Sequence, residues 1–502
     1  MGALRLNQKN LAALPKEVEI PRYDRGALIP RIVHLGLGHF HRAHQALYLD
    51  ELISRGLTDA GIFEINLVED PYPLEEIAGA QDYLYTLISR GAGGEEKLRV
   101  IGSILGYLNA GNGGAEKALA RLAAAETSVI SLTVTEKGYC FDMASGEPAW
   151  DLPPLRRDLE NPGEPVTMPG FISAALALRS RTNGLPLTIM SCDNFPSNGR
   201  VLKTCVVSYC RKVYPDLVPW IEENAAFPLS MVDRITPATA PETIRYLADR
   251  FGIDDRWPVC CEDFRQWVLE DRFRIPEGPA GRAAFSPADL SHTGVQVVTE
   301  VEPYELMKIR LLNGSHSALS YPAYLLGHRG VAEAAIDPLV GNYIRRQYME
   351  EITATLPPVE GIDLNVYKDT LLSRFSNKNI GDTVLRLAQD GSKKIPISVL
   401  NPLIEAIKGG LAHRAVTLAL AFWARFLDGR DEAGAPIPLD DPNGAAATAA
   451  AKGARQDPAS FLRVIGVHDI GIAAFRELET EFGEDLEKIY RLGTKKTLEE
   501  FC

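Results

Sequence analysis

The run Lys308-Ile-Arg-Leu-Leu-Asn313-Gly-Ser-His316 puts an amine, a carboxamide and an imidazole close together in the chain. Chemistry that moves hydride to or from a carbonyl needs a base for the hydroxyl proton and neutral donors for the oxyanion, and these are such side chains. Pro303, in Glu302-Pro303-Tyr304-Glu305, is a good first-turn proline, and Met307, Ile309, Leu311 and Leu312 continue apolar, so the segment is predicted helical. At about 100° per residue, Asn313 falls roughly 140° and His316 roughly 80° around from Lys308, which lets all three face one side. Standing alone, the segment reads more readily as a packed core helix with a snorkelling lysine.

It has company. Arg31-Ile-Val-His-Leu-Gly36-Leu-Gly38-His39-Phe40-His41 is a short apolar run that turns through two glycines into an amphipathic stretch. A strand, turn and helix of this kind lets backbone N–H groups meet a pyrophosphate, because glycine permits the tight turn and the close approach. His41 stands where the third glycine of the dinucleotide fingerprint would be, so the motif is incomplete. The segment from Gly61 to Val68 reads as a second strand that ends in Glu69 and Asp70. Carboxylates at that place accept hydrogen bonds from a ribose 2'-hydroxyl and repel a 2'-phosphate, so NAD is expected over NADP.

Two further strand ends belong with these. Leu187-Thr-Ile-Met-Ser-Cys-Asp-Asn194 is an apolar strand finishing in polar residues, and Ser128-Val-Ile-Ser-Leu-Thr-Val-Thr135 is another. Ligands of open parallel sheets bind outside the carboxyl ends of strands, which would bring Asn194, Thr135 and Glu136 near a cofactor. Taken singly, Asn194 is a turn residue. His39, His41 and His44 raise the question of a metal, but they show no tetrahedral ligand spacing and the chain has no CxxC, so no metal is expected.

These segments resemble the polyol-specific long-chain dehydrogenases, the mannitol 2-dehydrogenase family. The resemblance rests on Gly36 to Gln45, Gln81 to Leu87, Thr135 to Tyr139, Ser191 to Asn194, Met231 to Pro237, the Lys308 segment and Arg374 to Asn377, in the family's order and over most of the chain. His39 departs from it, being bulkier than the residue expected there. The resemblance implies a zinc-independent reaction in which Lys308 is the base, Asn194 and Asn313 bind the developing alkoxide, and His316 orients the substrate. It also implies that Asp233 and Arg374 contact substrate hydroxyls, and that Gly36, Gly38, Phe40, Glu69, Asp70, Thr135 and Glu136 bind NAD. Glu305 is either a gate for proton exchange or an ordinary i,i+3 partner of Lys308.

The elements that must position these groups divide in two. Strands expected at 31–37, 63–68, 97–104, 128–135 and 187–193 alternate with helical stretches, which predicts an α/β fold: a Rossmann-type, doubly wound parallel sheet over residues 1–289. A proline-rich insert runs from Glu147 to Pro169. Residues 290–502 are expected to form a mostly α-helical domain, with helices at 332–336, 340–355 and 399–426, a loop over 429–444 and an alanine-rich surface helix over 445–453.

Composition narrows the class. A chain of 502 residues with 46% hydrophobic residues has ample material for two cores, and it contains no apolar run of membrane-spanning length. A net charge of −13, with no basic run to offset it, argues against nucleic acid. The seven scattered cysteines and the absence of a signal-like apolar segment at the start fit a reduced, cytoplasmic protein. No feature sets an oligomeric state, and a monomer is compatible with the sequence. The expected function is an NAD-dependent dehydrogenase interconverting a sugar alcohol, D-mannitol foremost, with its ketose. The alternatives are a hexuronate (fructuronate or tagaturonate) reductase or D-arabinitol dehydrogenase of the same family, and a dinucleotide-binding protein without turnover.

Overall fold

A computed structural model describes residues 3–70, 73–143, 145–276 and 286–502. The chain forms two compact units, Met1–Gly91 with Glu95–Glu302, and Ala92–Gly94 with Pro303–Cys502. The division falls at Glu302/Pro303 rather than at the expected 289/290. The reason is that Gln296–Val298 is a strand pairing in parallel with Gln266–Glu270, so residues just past 289 complete a sheet of the first unit.

The first unit is built on a six-stranded parallel sheet. Its strands are β1 (Ile29–Leu35), β2 (Ala60–Asn66), β3 (Ile104–Asn109), β4 (Val129–Leu132), β5 (Leu187–Ser191) and β6 (Ala225–Ala226). They lie in the order β3-β2-β1-β4-β5-β6, that of the doubly wound dinucleotide fold. Successive residues of β1 serve opposite faces, as a period of two requires: Ile32 joins one core and Val33 the other. One face is covered by α3 (Ala115–Ala123), α4 (Met168–Thr182) and α5 (Asn198–Val213), the other by α2 (Gln45–Ser54).

The expected strand at 97–104 is two strands in different sheets. Glu96–Ile101 pairs antiparallel with Tyr85–Arg90, while the third strand of the parallel sheet begins only at Ile104. Gly102, against whose Cα position Pro21 and Tyr23 press, marks the break. The stretch after Gly38 is not amphipathic either. It is a short α1 (His39–Ala43) running into α2, and residues 41–50 are all buried. Within the proline-rich insert, Pro153–Glu160 is helical, started by two prolines that fit a first turn.

The second unit is helical. Its core includes α6 (Glu302–Met307), which starts at the boundary, a π-helical segment (Lys308–Asn313), α7 (Gly314–Leu325), α8 (Leu364–Phe375), α9 (Asn401–Gly409), α10 (Arg414–Leu427) and α11 (Ile472–Phe501). The single helix expected over 399–426 is interrupted by Gly410 at φ +63, which ends α9. Beyond the break, α10 is buried from Ala415 onward and packs on α7 and α11. No element was expected where α11 lies, although its buried Leu478, Phe482, Leu486 and Ile489 recur at helical spacing. Ala445–Ala451 is helical, with Ala447 and Ala451 buried.

Candidate active site

The first unit carries most of its candidate residues just past strand ends at the carboxyl edge of the parallel sheet, while Phe40 lies in α1 and Asp233 ends a strand of a separate three-stranded sheet. Gly36 follows β1 with φ +104, and a Cβ there would lie 2.3 Å from the Thr133 carbonyl oxygen, so no side chain fits. Gly38 is exposed, and a Cβ on it would meet only the Gly36 carbonyl at 3.9 Å, which leaves its surface open to a ligand's approach. The turn is tied to β4 through Thr133, whose hydroxyl donates to the Gly36 carbonyl at 3.0 Å. Phe40, half-buried, stacks on His44 at 4.9 Å. This edge fits a dinucleotide: a glycine turn without side chains, then an acid at the end of the next strand.

Past β2, Glu69 is exposed and Asp70 half-buried. Asp70 accepts from the Asn66 amide at 2.7 Å and from the Tyr107 hydroxyl, which leaves part of its acceptor capacity for a further donor. Past β4, Thr135 has φ +61, an uncommon conformation for a β-branched residue, and both it and Glu136 are exposed. What holds it there is Asp193. The Asp193 carboxylate accepts from the backbone N–H of Val134 at 3.0 Å and of Thr135 at 2.9 Å, and from the Tyr139 hydroxyl at 2.8 Å. Burial pushes the Asp193 carboxyl above its usual range, against the pull of these donors. Asn194, next in sequence, is exposed beyond the end of β5, and Asp233 is buried at the end of the strand Ser230–Asp233.

His39, His41 and His44 sit in three different settings. His44 donates from Nε2 to the Gln266 carbonyl at 2.9 Å, lies 2.9 Å from the Gln45 amide through Nδ1, and is pushed down to about 3 by burial. His39 is half-buried, and burial followed by the Arg42 charge lowers it to about 4. His41 instead fills the space that a third glycine would leave empty. It is fully buried, stacks on His34 of β1 at 3.4 Å, and sits 2.8 Å from a Glu64 carboxylate oxygen of β2. Among the described residues, His34, His41 and Glu64 are the group whose ligand atoms lie closest, within 4.8 Å of one another. The His34 and His41 rings lie 18° from parallel. Both His34 nitrogens face hydroxyls, Ser131 at 2.8 Å and Thr133 at 3.0 Å, and burial, then the neighbouring His41, push its pKa well below the usual range.

The second unit holds the other set. Lys308 begins a π-helical segment, so its spacing to His316 differs from that of a straight α-helix. A π turn inserts one residue and rotates the residues after it back by about 100°, which moves His316 from roughly 80° to roughly 20° around from Lys308. Glu305 and Lys308 are buried, while Asn313 and His316 are half-buried. Gly314 is required where it stands, because a Cβ would meet the Tyr348 hydroxyl at 2.6 Å and the Ser398 carbonyl at 2.7 Å. The far side of the π segment is anchored by Arg310, which donates to the Thr355 carbonyl and to Glu405, each at 2.8 Å. Phe375, at the end of α8, lies 4.6 Å from the His316 ring and so brings the turn bearing buried Arg374 beside it.

Asn66, Tyr107, Tyr139, Asp193 and Phe375 were not singled out by the sequence. Asp193 and Tyr139 lie inside segments already quoted, Ser-Cys-Asp-Asn and Thr-Glu-Lys-Gly-Tyr, yet their partners are remote in the chain and spacing gave no sign of them.

Sheet order, glycine turn and strand-end acid together define a Rossmann-type dinucleotide-binding protein with a helical second unit. The mannitol dehydrogenase Rossmann domain matches residues 30–279, and the mannitol dehydrogenase C-terminal domain matches residues 300–490. A mannitol 2-dehydrogenase of Phaeosphaeria nodorum is 39% identical over 505 residues, covering 100% of this chain and 86% of that protein. A D-mannonate oxidoreductase of Escherichia coli is 42% identical over 424 residues, 84% of this chain and 85% of that protein. Among solved structures, Pseudomonas fluorescens mannitol 2-dehydrogenase, in a ternary complex with NAD and D-mannitol, is similar with TM-score 0.82 and 40% identity, over 99% of each chain. The chain belongs to the mannitol dehydrogenase family.

Asp193→Ala removes the acceptor of three donors, and it is expected to lower unfolding free energy by about 3 kcal/mol through the orphaned groups. Urea denaturation followed by tryptophan fluorescence measures this. An unchanged midpoint would mean that Thr135 holds its conformation without the carboxylate.

Proposed function

We propose that this protein is an NAD-dependent oxidoreductase that interconverts a sugar alcohol and its ketose, with D-mannitol and D-fructose as the leading pair. The observation that carries the reading is the 40% identity, over 99% of each chain, with a protein solved with NAD and D-mannitol. The glycine turn with its strand-end acid and the buried Lys308 beside Asn313 and His316 in sequence are what such a reaction needs.

On this reading Lys308 takes the proton from the reacting hydroxyl, and its burial limits competition from water. The amides of Asn194 and Asn313 donate to the oxygen as charge develops on it. His316, backed by Phe375, orients the substrate, and Asp233 and Arg374 bind its other hydroxyls. Glu305, one turn before Lys308, passes the proton onward to solvent. Gly36, Gly38 and Phe40 form the floor for the pyrophosphate, Glu69 and Asp70 meet the adenosine ribose, and Thr135 and Glu136 border the cofactor. Bound NAD supplies the hydride acceptor. Cys140, Cys192, Cys205, Cys210, Cys260 and Cys261 are buried free thiols, which supports a reducing, cytoplasmic setting.

A second reading, oxidation of a sugar acid, is supported by the 42% identity with D-mannonate oxidoreductase. A panel of mannitol, sorbitol, arabinitol and mannonate, assayed by NADH absorbance, separates the two. A highest kcat/KM for mannonate would replace the polyol reading.

Lys308→Ala is expected to lower kcat for oxidation about 10²-fold or more while NADH affinity stays near wild type. Near-normal kcat in a folded variant would return Lys308 to a packing role. No metal takes part on this reading, so exhaustive chelation should leave kcat unchanged. Activity lost to a chelator and restored by zinc would point back to His34, His41 and Glu64.

A further inference from the structure

Asn66 ends β2, and its side chain spans the two halves of the candidate cofactor site. Its Oδ1 accepts from the Leu37 backbone N–H, within the glycine turn, at 3.0 Å. Its Nδ2 donates to Asp70 Oδ1 at 2.7 Å. The two partners fix the amide's orientation: an N–H demands the oxygen and a carboxylate demands the nitrogen, so only one flip satisfies both. No other side chain of this length does this. Aspartate would face Asp70 with like charge, and leucine would leave the N–H and the carboxylate each without that partner.

The acid is held from its other side as well. The Tyr107 hydroxyl donates to Asp70 Oδ2. Asn109, paired with Asn66 in the β2–β3 ladder, donates to the Val68 carbonyl at 3.1 Å and lies 3.2 Å from the Tyr107 hydroxyl. Gly111 completes the clamp, since a Cβ there would lie 2.6 Å from the backbone at Val68 and Glu69. The loop carrying Glu69 and Asp70 is therefore pinned to β3 by side chains and by close backbone packing, and it is pinned to the glycine turn through Asn66.

We infer that Asn66 is a positioning residue for cofactor choice: it sets the distance between the glycine turn and Asp70, with Tyr107 steadying the same carboxylate. The inference rests on the reading of this edge as the NAD site. Pyrophosphate and ribose are separated by a fixed length within the dinucleotide, so an acid held rigidly relative to the turn meets the 2'-hydroxyl directly. It also cannot swing aside for a 2'-phosphate. A loose Asp70 would lose both properties together, weakening NAD and tolerating NADP.

The test compares wild type, Asn66→Leu and Tyr107→Phe in the full chain, by kinetics with NAD and NADP at saturating polyol and by NADH fluorescence titration. Asn66→Leu is expected to raise KM for NAD about tenfold and change KM for NADP by less than about threefold, with kcat within about threefold of wild type. Tyr107→Phe should move the NAD-to-NADP ratio in the same direction by about threefold. If both variants keep the wild-type ratio, or weaken the two cofactors equally, Asn66 is only a structural cap and the inference fails. If Asn66→Leu does not fold, the ratio in Tyr107→Phe decides by the same criterion. Failure of wild type to bind NADH at all would instead overturn the reading of the site, a distinct result.

Discussion

The candidate cofactor edge depends on one close approach, that of the Gly36 backbone to the Thr133 carbonyl. With no room for a Cβ between them, β1 and β4 end in contact, and the turn after β1 takes a left-handed path. From there the remaining groups follow by short links. Thr133 bonds the turn, and Asn66 ties the turn to Asp70. Asp193 ties the end of β4 to the end of β5. The edge is a chain of hydrogen-bonded strand ends, and Gly36, Gly38, Glu69, Asp70, Thr135, Glu136 and Asn194 each sit on or next to one of those bonds.

His41 shows how an incomplete fingerprint is accommodated. A third glycine would let the helix start press close to the sheet. Here an imidazole occupies that space, stacked on His34 and paired with Glu64, all three fully buried. The polar contacts of His34 to Ser131 and Thr133 carry the arrangement back to the Gly36 turn.

In the second unit the corresponding constraint is the π-helical segment. An extra residue in one turn costs regular hydrogen bonding, and such turns occur often at functional sites. Arg310 is anchored through Thr355 and Glu405, and Gly314 admits Tyr348 and Ser398, so the irregular turn is held by its surroundings. Its effect by helical geometry is to set His316 roughly 20° around from Lys308, closer than the roughly 80° of a straight helix.

Much of this was written in the sequence, because the signals are local. Alternating apolar runs with strand-end polar residues announced the parallel sheet, and β1, β2, β4 and β5 lie largely within the expected segments. Gly36, Gly38, Asp70 and the Lys308 segment were singled out as candidates from residue type, spacing and the family resemblance. The tertiary structure decided the features that depend on partners distant in the chain. Those include the left-handed Thr135 held by Asp193, the Asn66 bridge, the His34–His41–Glu64 stack, and the split of 97–104 between two sheets. It also decided the phase of the Lys308 turn, since periodicity assumes a regular helix and packing against Tyr348, Ser398 and Thr355 does not respect that assumption. Local chemistry fixes which residues are available, and only long-range contacts fix which atoms meet.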